Sequence, residues 1–244
     1  MRYLLPFLLC LALLQAAKPK VAVVVDDCGY SLADAKLLAA IEQPLTMAVI
    51  PGQIHSRAAA EIFTAARRHA VLIHFPWTPL GNNRQAYPVR VEPGYSAAQI
   101  QAMLDKARES VPGAVGLNNH QGSILSANQE MMDKFMGVLR AQRQPLYFLD
   151  SRTTVNSRAL STARKYGIPA ARNDIFLDGT QTETYIARRL AEAVGIAKRQ
   201  GTVVVICHGT RPVTKRVLKK LLAQYNGRVD FVLLPEIIKL REKR

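Results

Sequence analysis

The stretch Val21–Tyr30 reads VAVVVDDCGY, and its interpretation decides the fold expected for the rest of the chain. It opens with a run of small apolar residues without polar alternation, which is typical of a parallel strand that helices bury on both faces. Asp26 and Asp27 follow at the end of the strand where α/β proteins place their chemistry. Two adjacent carboxylates resist ionising together, so a metal ion or a shared proton would stabilise the pair. One aspartate alone could instead cap the next helix, although Ser31 already provides a cap there.

Strand-like and helical segments alternate along the chain after this stretch. Apolar runs predict the strands, and apolar residues at helical spacing predict the helices between them. The later predicted strands are 45–50, 70–73, 114–117, 146–149, 169–172, 202–206 and 229–234. Seven or eight such units indicate an α/β barrel or a doubly wound sheet in one domain. A dinucleotide-binding fold is disfavoured because no GxGxxG motif follows the first strand.

Residues 75–95 interrupt the alternation with several prolines and glycines, and we expect one long loop there. Loops of this length inside a compact domain are usually functional or mobile. Ser96 and Gln99 then form a capping box, which predicts the start of the next helix.

Polar side chains stand at or just after the carboxyl ends of the predicted strands. They are Asp26, Asp27, His74, Asn118, Asn119, His120, Asp150 and His208. In a barrel these strand ends converge on one face, so residues distant in sequence can share a site. His74, His120 and one aspartate are suited to hold zinc or another divalent ion with a position left for water. Asp26 would then be the general base, Asp27 a metal ligand and His208 the general acid.

Each of these residues also has a structural interpretation. His74 could bond a backbone carbonyl at the rim of the barrel, and His208 could be an ordinary loop residue. Asp150 could form an ion pair with Arg152, or it could orient a site histidine. His120 lies in a polar Asn-Asn-His-Gln-Gly-Ser turn that a hydrophobic core does not need, which favours a functional role.

The N-terminus has the pattern of a secretory signal peptide. A basic residue precedes an apolar run at 4–14, and two small residues follow that run. We therefore expect residues 1–17 to be removed and residues 18–244 to form one exported domain, located in the periplasm. An uncleaved N-terminal anchor is the alternative.

Removal of the leader would leave two cysteines, Cys28 and Cys207. Each stands beside a proposed site residue, and in an oxidising compartment the two thiols could pair. The sequence leaves this pairing open because it does not give the distance between them.

The chain has a formal net charge of +15, which favours anionic surroundings. Residues 211–244 contain ten Lys or Arg and three acidic residues. This basic C-terminal region predicts contact with an anionic envelope surface, and the alternative is a solvated face that keeps the protein soluble. Export and the lack of a basic motif with interleaved aromatic residues argue against nucleic acid as a partner.

Six short motifs resemble the family of divergent polysaccharide deacetylases. In chain order they are VVDDCGY at 24–30, LIHFPWTP at 72–79, GLNNHQGS at 116–123, FLDSRTT at 148–154, ARNDIFLD at 171–178 and ICHG at 206–209. The ordered series is far more specific than any single motif. The resemblance implies a distorted (β/α) barrel of seven or eight strands and the chemistry of carbohydrate esterases. Such enzymes remove N- or O-acetyl groups from glycans with a divalent metal, for which zinc is our expectation.

The resemblance also implies roles for individual residues. Asp26 corresponds to the general base, Asp27 to the metal-binding carboxylate and His74 to the first histidine of a His-x-x-x-His pair. His208 corresponds to the late histidine that acts as the acid. Thr78 stands where that pair has its second histidine, so one usual metal ligand is missing from the motif.

The Arg-x-Pro-Tyr motif of typical members is absent as well, and Asn118, Asn119 and His120 stand at the equivalent strand end. His120 is therefore expected to supply the third metal ligand. The residues expected to bind substrate or to support the ligands are Asn118, Asn119, Asp150, Arg152 and Asp178.

These expectations combine into a secreted, metal-dependent hydrolase that removes acetyl groups from a cell-envelope polysaccharide such as peptidoglycan. The competing hypothesis is a non-catalytic envelope protein that uses the same barrel to bind a glycan or another partner. Thr78 and the missing arginine motif favour that second hypothesis. The sequence carries no signal for the oligomeric state.

Overall fold

A computed structural model describes residues 18–79 and 87–243, so the expected signal peptide at 1–17 lies outside the described residues. The strands are β1 (Lys20–Cys28), β2 (Thr46–Val49), β3 (Ala70–Trp77), β4 (Gly116–Gln121), β5 (Tyr147–Asp150), β6 (Ala170–Arg172), β7 (Ile175–Phe176), β8 (Thr202–His208) and β9 (Asp230–Phe231). The helices are α1 (Leu32–Ala39), α2 (Ser56–Ala65), α3 (Ala97–Ser110), α4 (Ser123–Ala127), α5 (Gln129–Arg140), α6 (Ala159–Lys165), α7 (Glu183–Gln200), α8 (Pro212–Ala223) and α9 (Leu234–Glu242). Within the described ranges, no helix combines the length and the apolar character that crossing a membrane requires.

The strands form one parallel sheet in the order β6-β5-β4-β3-β2-β1-β8-β7, and β9 pairs with the start of β1. The two edge strands, β6 and β7, are consecutive in the chain and are separated only by Asn173 and Asp174. The sheet must therefore curl until its edges almost meet. Asn173 donates to the carbonyl of Asp150 and Asp174 donates to the carbonyl of Val204, so the segment that carries β6 and β7 passes from β5 to β8. The prediction of a distorted barrel of seven or eight strands is confirmed.

Alternation along β1 separates two cores. Val21, Val23 and Val25 pack outward against the helices, whereas Ala22 and Val24 belong to a smaller core inside the sheet. That inner core also contains buried residues of α9, among them Ile237, so α9 closes the barrel beside the strand starts. The predicted strand 229–234 is therefore wrong in extent. Only Asp230–Phe231 pairs with the sheet, and a helix begins at Leu234 with Pro235 in its first turn.

Two strands run further than the sequence predicts. β3 continues through Pro76 to Trp77, and β4 continues through His120 to Gln121. The two strands remain in register, with His74 opposite Asn118 and Pro76 opposite His120. Pro76 has no N–H, but its carbonyl accepts a hydrogen bond from Val91 at 2.9 Å. The expected loop therefore starts after β3, and its residues 80–86 lie outside the described ranges.

Cys28 and Cys207 are both buried and both free. Cys28 donates a weak hydrogen bond to the carbonyl of Val25, 3.4 Å away. Burial raises the pKa of both thiols well above the usual range, so neither is poised as a thiolate.

Candidate metal centre

A backbone irregularity brings both acids of β1 to the inside of the barrel. Residues 26 and 27 of a regular strand would face opposite sides of the sheet. The register of β1 against β2 shifts between Val25 and Cys28, and Asp27 has a φ of 60°. The carboxylate of Asp27 therefore lies with that of Asp26 at the carboxyl end of the sheet, close to His74. Ser31 caps α1, its hydroxyl accepting from the N–H of Asp34 at 3.2 Å, so neither acid serves as the cap.

Three side chains from β1, β3 and β4 place one ligand atom each around a common point. Asp27 Oδ1 lies 3.3 Å from His74 Nε2 and 3.2 Å from His120 Nδ1. The two histidine nitrogens are 3.0 Å apart. The three residues together form a set whose ligand atoms all lie within 4.8 Å of one another. The structure thus brings together the three residues that the sequence predicts as metal ligands.

Asn118 fixes the tautomer of His74. His74 Nδ1 lies 2.9 Å from Asn118 Oδ1, which can only accept, so Nδ1 carries the proton. His74 Nε2 is then an unprotonated nitrogen that faces the shared point. The amide of Asn118 donates to Asp26 Oδ1 at 2.9 Å and to Ser151 Oγ at 3.0 Å. Asn118 is completely buried, and it holds a proposed ligand and a proposed base in a fixed relation.

Two tyrosines support His120 in a similar way. Tyr87 Oη lies 3.0 Å from His120 Nε2, and Tyr30 Oη donates to Tyr87 Oη at 3.4 Å. The tautomer of His120 that carries its proton on Nε2 donates to Tyr87 and leaves Nδ1 free to bind a cation. Burial lowers the pKa of His120, which keeps the neutral, ligating form at physiological pH.

The residues present fit a cation. Asp27 Oδ1 is buried and has no hydrogen-bond partner among the described residues, whereas Thr210 donates to Oδ2 at 3.4 Å. With the tautomers above, two nitrogen lone pairs and one carboxylate oxygen face each other without a hydrogen between them. Without an ion, burial alone would raise the pKa of Asp27, but His120 and His74 then donate to its carboxylate and together hold that pKa far below its usual range. One carboxylate and two imidazoles, all unprotonated, are ligands that Zn²⁺ accepts.

Asp26 lies beside the three ligands without joining them. Its Oδ2 is 3.6 Å from His74 Nε2, and its Oδ1 accepts from Asn118. Burial is the main cause that raises the pKa of Asp26, and the charge of Asp27 adds to it. A raised pKa makes Asp26 a stronger proton acceptor than an ordinary carboxylate, as the role of general base requires.

His208 faces Asp26 from the neighbouring strand, since the two residues are register partners of β8 and β1. Its ring Nδ1 lies 2.9 Å from Asp178 Oδ1. Its backbone N–H donates to Asp178 Oδ2 at 2.8 Å. Thr214 also donates to Asp178, and Arg211 donates to the carbonyl of that residue. Burial would lower the pKa of His208, but the bond to Asp178 and the charge of Asp26 raise it above the usual value. This arrangement keeps a proton on His208 for transfer.

Asp26, His208 and the two ligand histidines line one cleft at the carboxyl end of the sheet. Its lining includes Asp26, His74, Asn119, His120, Ser151, Thr153, Phe176 and His208. The side chain of Asn119 braces the wall, accepting from the N–H of Ser151 at 2.9 Å and donating to the carbonyl of Gln121 at 2.8 Å. The ring of Phe176 stacks on His208 at an interplanar angle of 12°.

Within residues 18–79 and 87–243, Asp150 and Arg152 form no hydrogen bond or ion pair with the three ligands, and Asp150 holds a turn of the backbone. Leu149 belongs to the inner core, so strand alternation turns Asp150 outward and Ser151 inward. Asp150 accepts from the N–H of Arg152 and from the hydroxyl of Ser157, both at 2.8 Å. It therefore holds a turn in which Arg152 has a φ of 57° and an exposed side chain. No ion pair between the two side chains occurs in the described ranges.

The sequence profile of the divergent polysaccharide deacetylases matches residues 23–238. The chain belongs to this family. An uncharacterized Escherichia coli K12 protein, YibQ, is 35% identical over 229 residues, which cover 91% of this chain and 69% of YibQ. An uncharacterized Haemophilus influenzae protein is 33% identical over 208 residues, 83% of this chain and 71% of the relative. These two relatives therefore establish no function for the chain.

Solved structures show the same fold. An uncharacterized protein from Agrobacterium tumefaciens C58 superposes with a TM-score of 0.81 at 22% identity, covering 91% of this chain and 90% of that one. A family 4 carbohydrate esterase from Streptomyces lividans, solved with acetate, has a TM-score of 0.52 at 15% identity, covering 91% and 96%. A peptidoglycan deacetylase from Bdellovibrio bacteriovorus has a TM-score of 0.53 at 17% identity, covering 90% of this chain and 53% of that protein.

Thr78 does not belong to the set of ligands. Thr78 Oγ1 donates to the carbonyl of Val91 at 3.2 Å, beyond the end of β3. The position of a third ligand is occupied by His120, which β4 carries there through its pairing with β3.

Sequence reasoning missed several supporting residues, among them Ser151, Tyr87 and Thr210. Ser151 had a detectable signal, since it follows Asp150 directly and strand alternation turns it inward. Tyr87 and Thr210 had none, because they reach the site from segments whose path only the folded chain defines.

Proposed function

We propose that this protein is a secreted hydrolase that removes acetyl groups, bound as amide or ester, from a cell-envelope polysaccharide with the help of a bound divalent metal. The observation that carries the proposal is the set Asp27, His74 and His120, flanked by Asp26 and by His208. A metal site of three protein ligands between a proton acceptor and a proton donor is typical of hydrolytic centres. Family membership and the esterase-like fold support the same reaction class.

Asp27 Oδ1, His74 Nε2 and His120 Nδ1 would hold the ion, and zinc suits this ligand set. When bound, the ion supplies Lewis acidity that polarises the acetyl carbonyl and makes water a better nucleophile near neutral pH. The remaining steps depend on residues of the chain itself.

Asp26 accepts a proton from the attacking water. Its carboxylate is buried, its pKa is raised, and Asn118 fixes its Oδ1 so that the other oxygen faces the ligands. As water adds to the acetyl carbonyl, this proton moves to Asp26 and the carbonyl carbon becomes tetrahedral.

His208 gives a proton to the leaving group. The bond between the acetyl carbon and the sugar nitrogen or oxygen breaks, and that atom takes the proton as acetate leaves. Asp178 accepts a hydrogen bond from Nδ1 of His208, so Nε2 is the nitrogen that faces the cleft. The stacked ring of Phe176 limits the rotation of the imidazole.

The proposal includes a substrate class and a location. The solved neighbour from Bdellovibrio bacteriovorus is named a peptidoglycan deacetylase, which favours a cell-wall glycan. The N-terminal pattern at residues 1–17 favours export to the periplasm, where such a glycan is found.

The decisive experiment combines elemental analysis with acetate release. Purified protein is expected to retain about one divalent ion per chain, as a three-ligand site implies. It should release acetate from acetylated glucosamine oligomers or peptidoglycan fragments. His120→Ala should lose both properties, whereas His55→Ala, which removes a histidine outside the three ligands, should keep them. A folded wild-type protein that retains no ion after metal loading would refute the proposal.

The competing function is binding without turnover on the same barrel. If the metal-loaded protein binds the glycan but releases no acetate, glycan binding is the function and the proposed catalysis is refuted. The replacement of the usual second histidine by Thr78 is the observation that favours this outcome.

A further inference from the structure

The end of the barrel opposite the cleft is strongly basic. Because all strands are parallel, the segments that lead into them share one end of the molecule. The last turns of α5, α6 and α7 all lead toward this end. They present Arg140, Arg164, Lys198 and Arg199 there, all exposed. This end of the molecule is called the basal face below.

Helix dipoles explain only part of this charge. A cation in the last turn of a helix is stabilised by the partial negative charge of the terminal carbonyls. Arg67, Arg68, Arg143 and Arg228, however, follow the last helical turn and lie in the connections to β3, β5 and β9. All four are exposed, and none forms an ion pair with a described residue. The connections thus add positive charge that helix stability does not require.

The two ends of the barrel differ in how their charges are partnered. Near the cleft, acids in the first turns of the helices are neutralised, as in the pairs Asp34–Lys215 at 2.7 Å and Glu183–Lys220 at 2.6 Å. The basal face also carries exposed acids, including Glu42, and Arg241 pairs with Asp174 there at 2.6 Å, but the four arginines of the connections form no ion pair with a described residue. The charge is therefore left available to an external anion.

The chain also enters the barrel at the basal face. Lys18 is exposed, and β1 begins at Lys20 beside Asp230. The apolar run at 4–14 shortly precedes this point in the sequence. The apolar run would enter a membrane during export, or it would remain there as an anchor. In both cases the membrane would lie against the basal face.

We propose that the basal face docks on the anionic surface of a phospholipid bilayer, so that the cleft at the opposite end points away from the membrane. The carboxyl end of β1 lies about 26 Å from its start, since a strand rises about 3.3 Å per residue. The cleft is thereby held clear of the headgroups and open to a polymer in the space beyond. This surface is independent of the proposed hydrolysis and extends the basic region expected from residues 211–244 to connections throughout the chain.

Vesicle binding of the full chain tests the proposal. The probes are phosphatidylcholine vesicles with and without phosphatidylglycerol, at low and high salt. A charge-removed variant carries Arg67→Gln, Arg68→Gln, Arg143→Gln and Lys198→Gln. Its matched control carries Arg57→Gln, Arg158→Gln, Arg188→Gln and Arg216→Gln, which remove the same number of charges elsewhere.

Wild type and control should bind the anionic vesicles, and the charge-removed variant should bind them at least tenfold more weakly, since each basic residue near such a surface contributes about fivefold. Salt should weaken the wild type but hardly the variant. Equal binding by the two variants, or equal binding to neutral vesicles, would overturn the proposal. Stronger binding to a soluble polyanion such as DNA than to vesicles would overturn it too.

The orientation has its own measurement. Fluorophores are attached through Arg143→Cys on the basal face and Thr153→Cys at the cleft, while the native Cys28 and Cys207 remain buried. Lipid-borne quenchers should quench the label at 143 and spare the label at 153. The reverse pattern, or equal quenching, contradicts the proposed orientation.

Discussion

Asp27 has a left-handed backbone conformation that its side chain does not favour. For a residue other than glycine, such a conformation costs about 1–3 kcal/mol and persists only where the surroundings enforce it. Here the irregularity of β1 turns the carboxylate toward His74 and His120. The motif DDCG places two acids together in the sequence, but it contains no signal for the turn between them. The metal-binding role of Asp27 could therefore be inferred from the residue type. The backbone irregularity that turns its carboxylate toward the histidines could not be inferred from the sequence.

Asn118 is predicted to be essential for metal binding and for stability, although its side chain is completely buried and is not one of the three proposed ligands. Asn118→Leu should leave the buried groups of Asp26 and His74 without their partner, lowering the free energy of unfolding by about 1–3 kcal/mol for each. Metal affinity should fall about 10–100-fold, since His74 loses its fixed tautomer. Urea unfolding and metal titration would measure the two effects. Asn156→Leu, at an exposed site, is the matched control, and equal effects of both variants would contradict the assignment.

Asp178→Asn should change the pH dependence of the reaction. Burial lowers the pKa of His208, and the hydrogen bond to Asp178 is the first of the contributions that together raise it above its usual value, so neutralising Asp178 lowers that pKa. An acid acts only while protonated, so the alkaline limb of the kcat/KM profile should move to lower pH. An NMR titration of the His208 imidazole should move in the same direction. Asp133→Asn, at an exposed ion pair, should leave both curves in place.

The same pKa shift predicts a dependence of stability on pH. Because the pKa of His208 is higher in the folded chain, its protonation stabilises the fold fully below the unfolded value near 6.5. This contribution is lost as the pH rises through the folded pKa. The difference in unfolding free energy between wild type and Asp178→Asn should therefore narrow at alkaline pH, and a difference that widens there would contradict the assignment.

At the scale of elements, the apolar runs predicted the strands that form the wall of the barrel. They did not predict the strand ends where polar residues continue a strand. Asn118 and His120 read as a turn, yet pairing with β3 keeps them in β4. In a parallel pair, the backbone N–H and C=O groups form hydrogen bonds whether the side chains are polar or apolar. The change from apolar to polar residues at Asn118 therefore did not mark the end of the strand. The short apolar run at 229–234 likewise favoured a strand, whereas burial inside the barrel made Leu234–Glu242 a helix.

Helix α9 is predicted to stabilise the barrel by filling its interior. Ile237 is fully buried against the inner core, so Ile237→Ala should lower the free energy of unfolding by about 2–5 kcal/mol. Leu240 lies on the exposed side of the same helix, and Leu240→Ala should change stability by no more than about 0.5 kcal/mol. Urea unfolding of the two variants separates lost packing from lost helix propensity. Similar losses for both would show that α9 does not close the barrel.

At the scale of the whole molecule, the candidate metal centre is formed by strands that are distant from one another in the sequence. Its ligands come from β1, β3 and β4, so the complete set exists only in the folded chain. An ion that binds only the folded state stabilises it by RT ln(1 + [ion]/Kd), about 2.7 kcal/mol at a free concentration of 100 Kd. Each kcal/mol raises the midpoint of a domain of this size by about 2–4 °C. Metal-loaded protein should therefore melt several degrees higher than the same protein after chelation.

His120→Ala separates this effect from a general action of the chelator. The variant retains Asp27 and His74 but lacks the third ligand, so its thermal midpoint should be nearly the same with and without chelator. His55→Ala keeps all three ligands and should respond like the wild type. Scanning calorimetry of the three proteins across a zinc titration measures the coupling. A chelator-dependent shift of equal size in His120→Ala would place the stabilising ion elsewhere, because the proposed centre cannot then be its binding site.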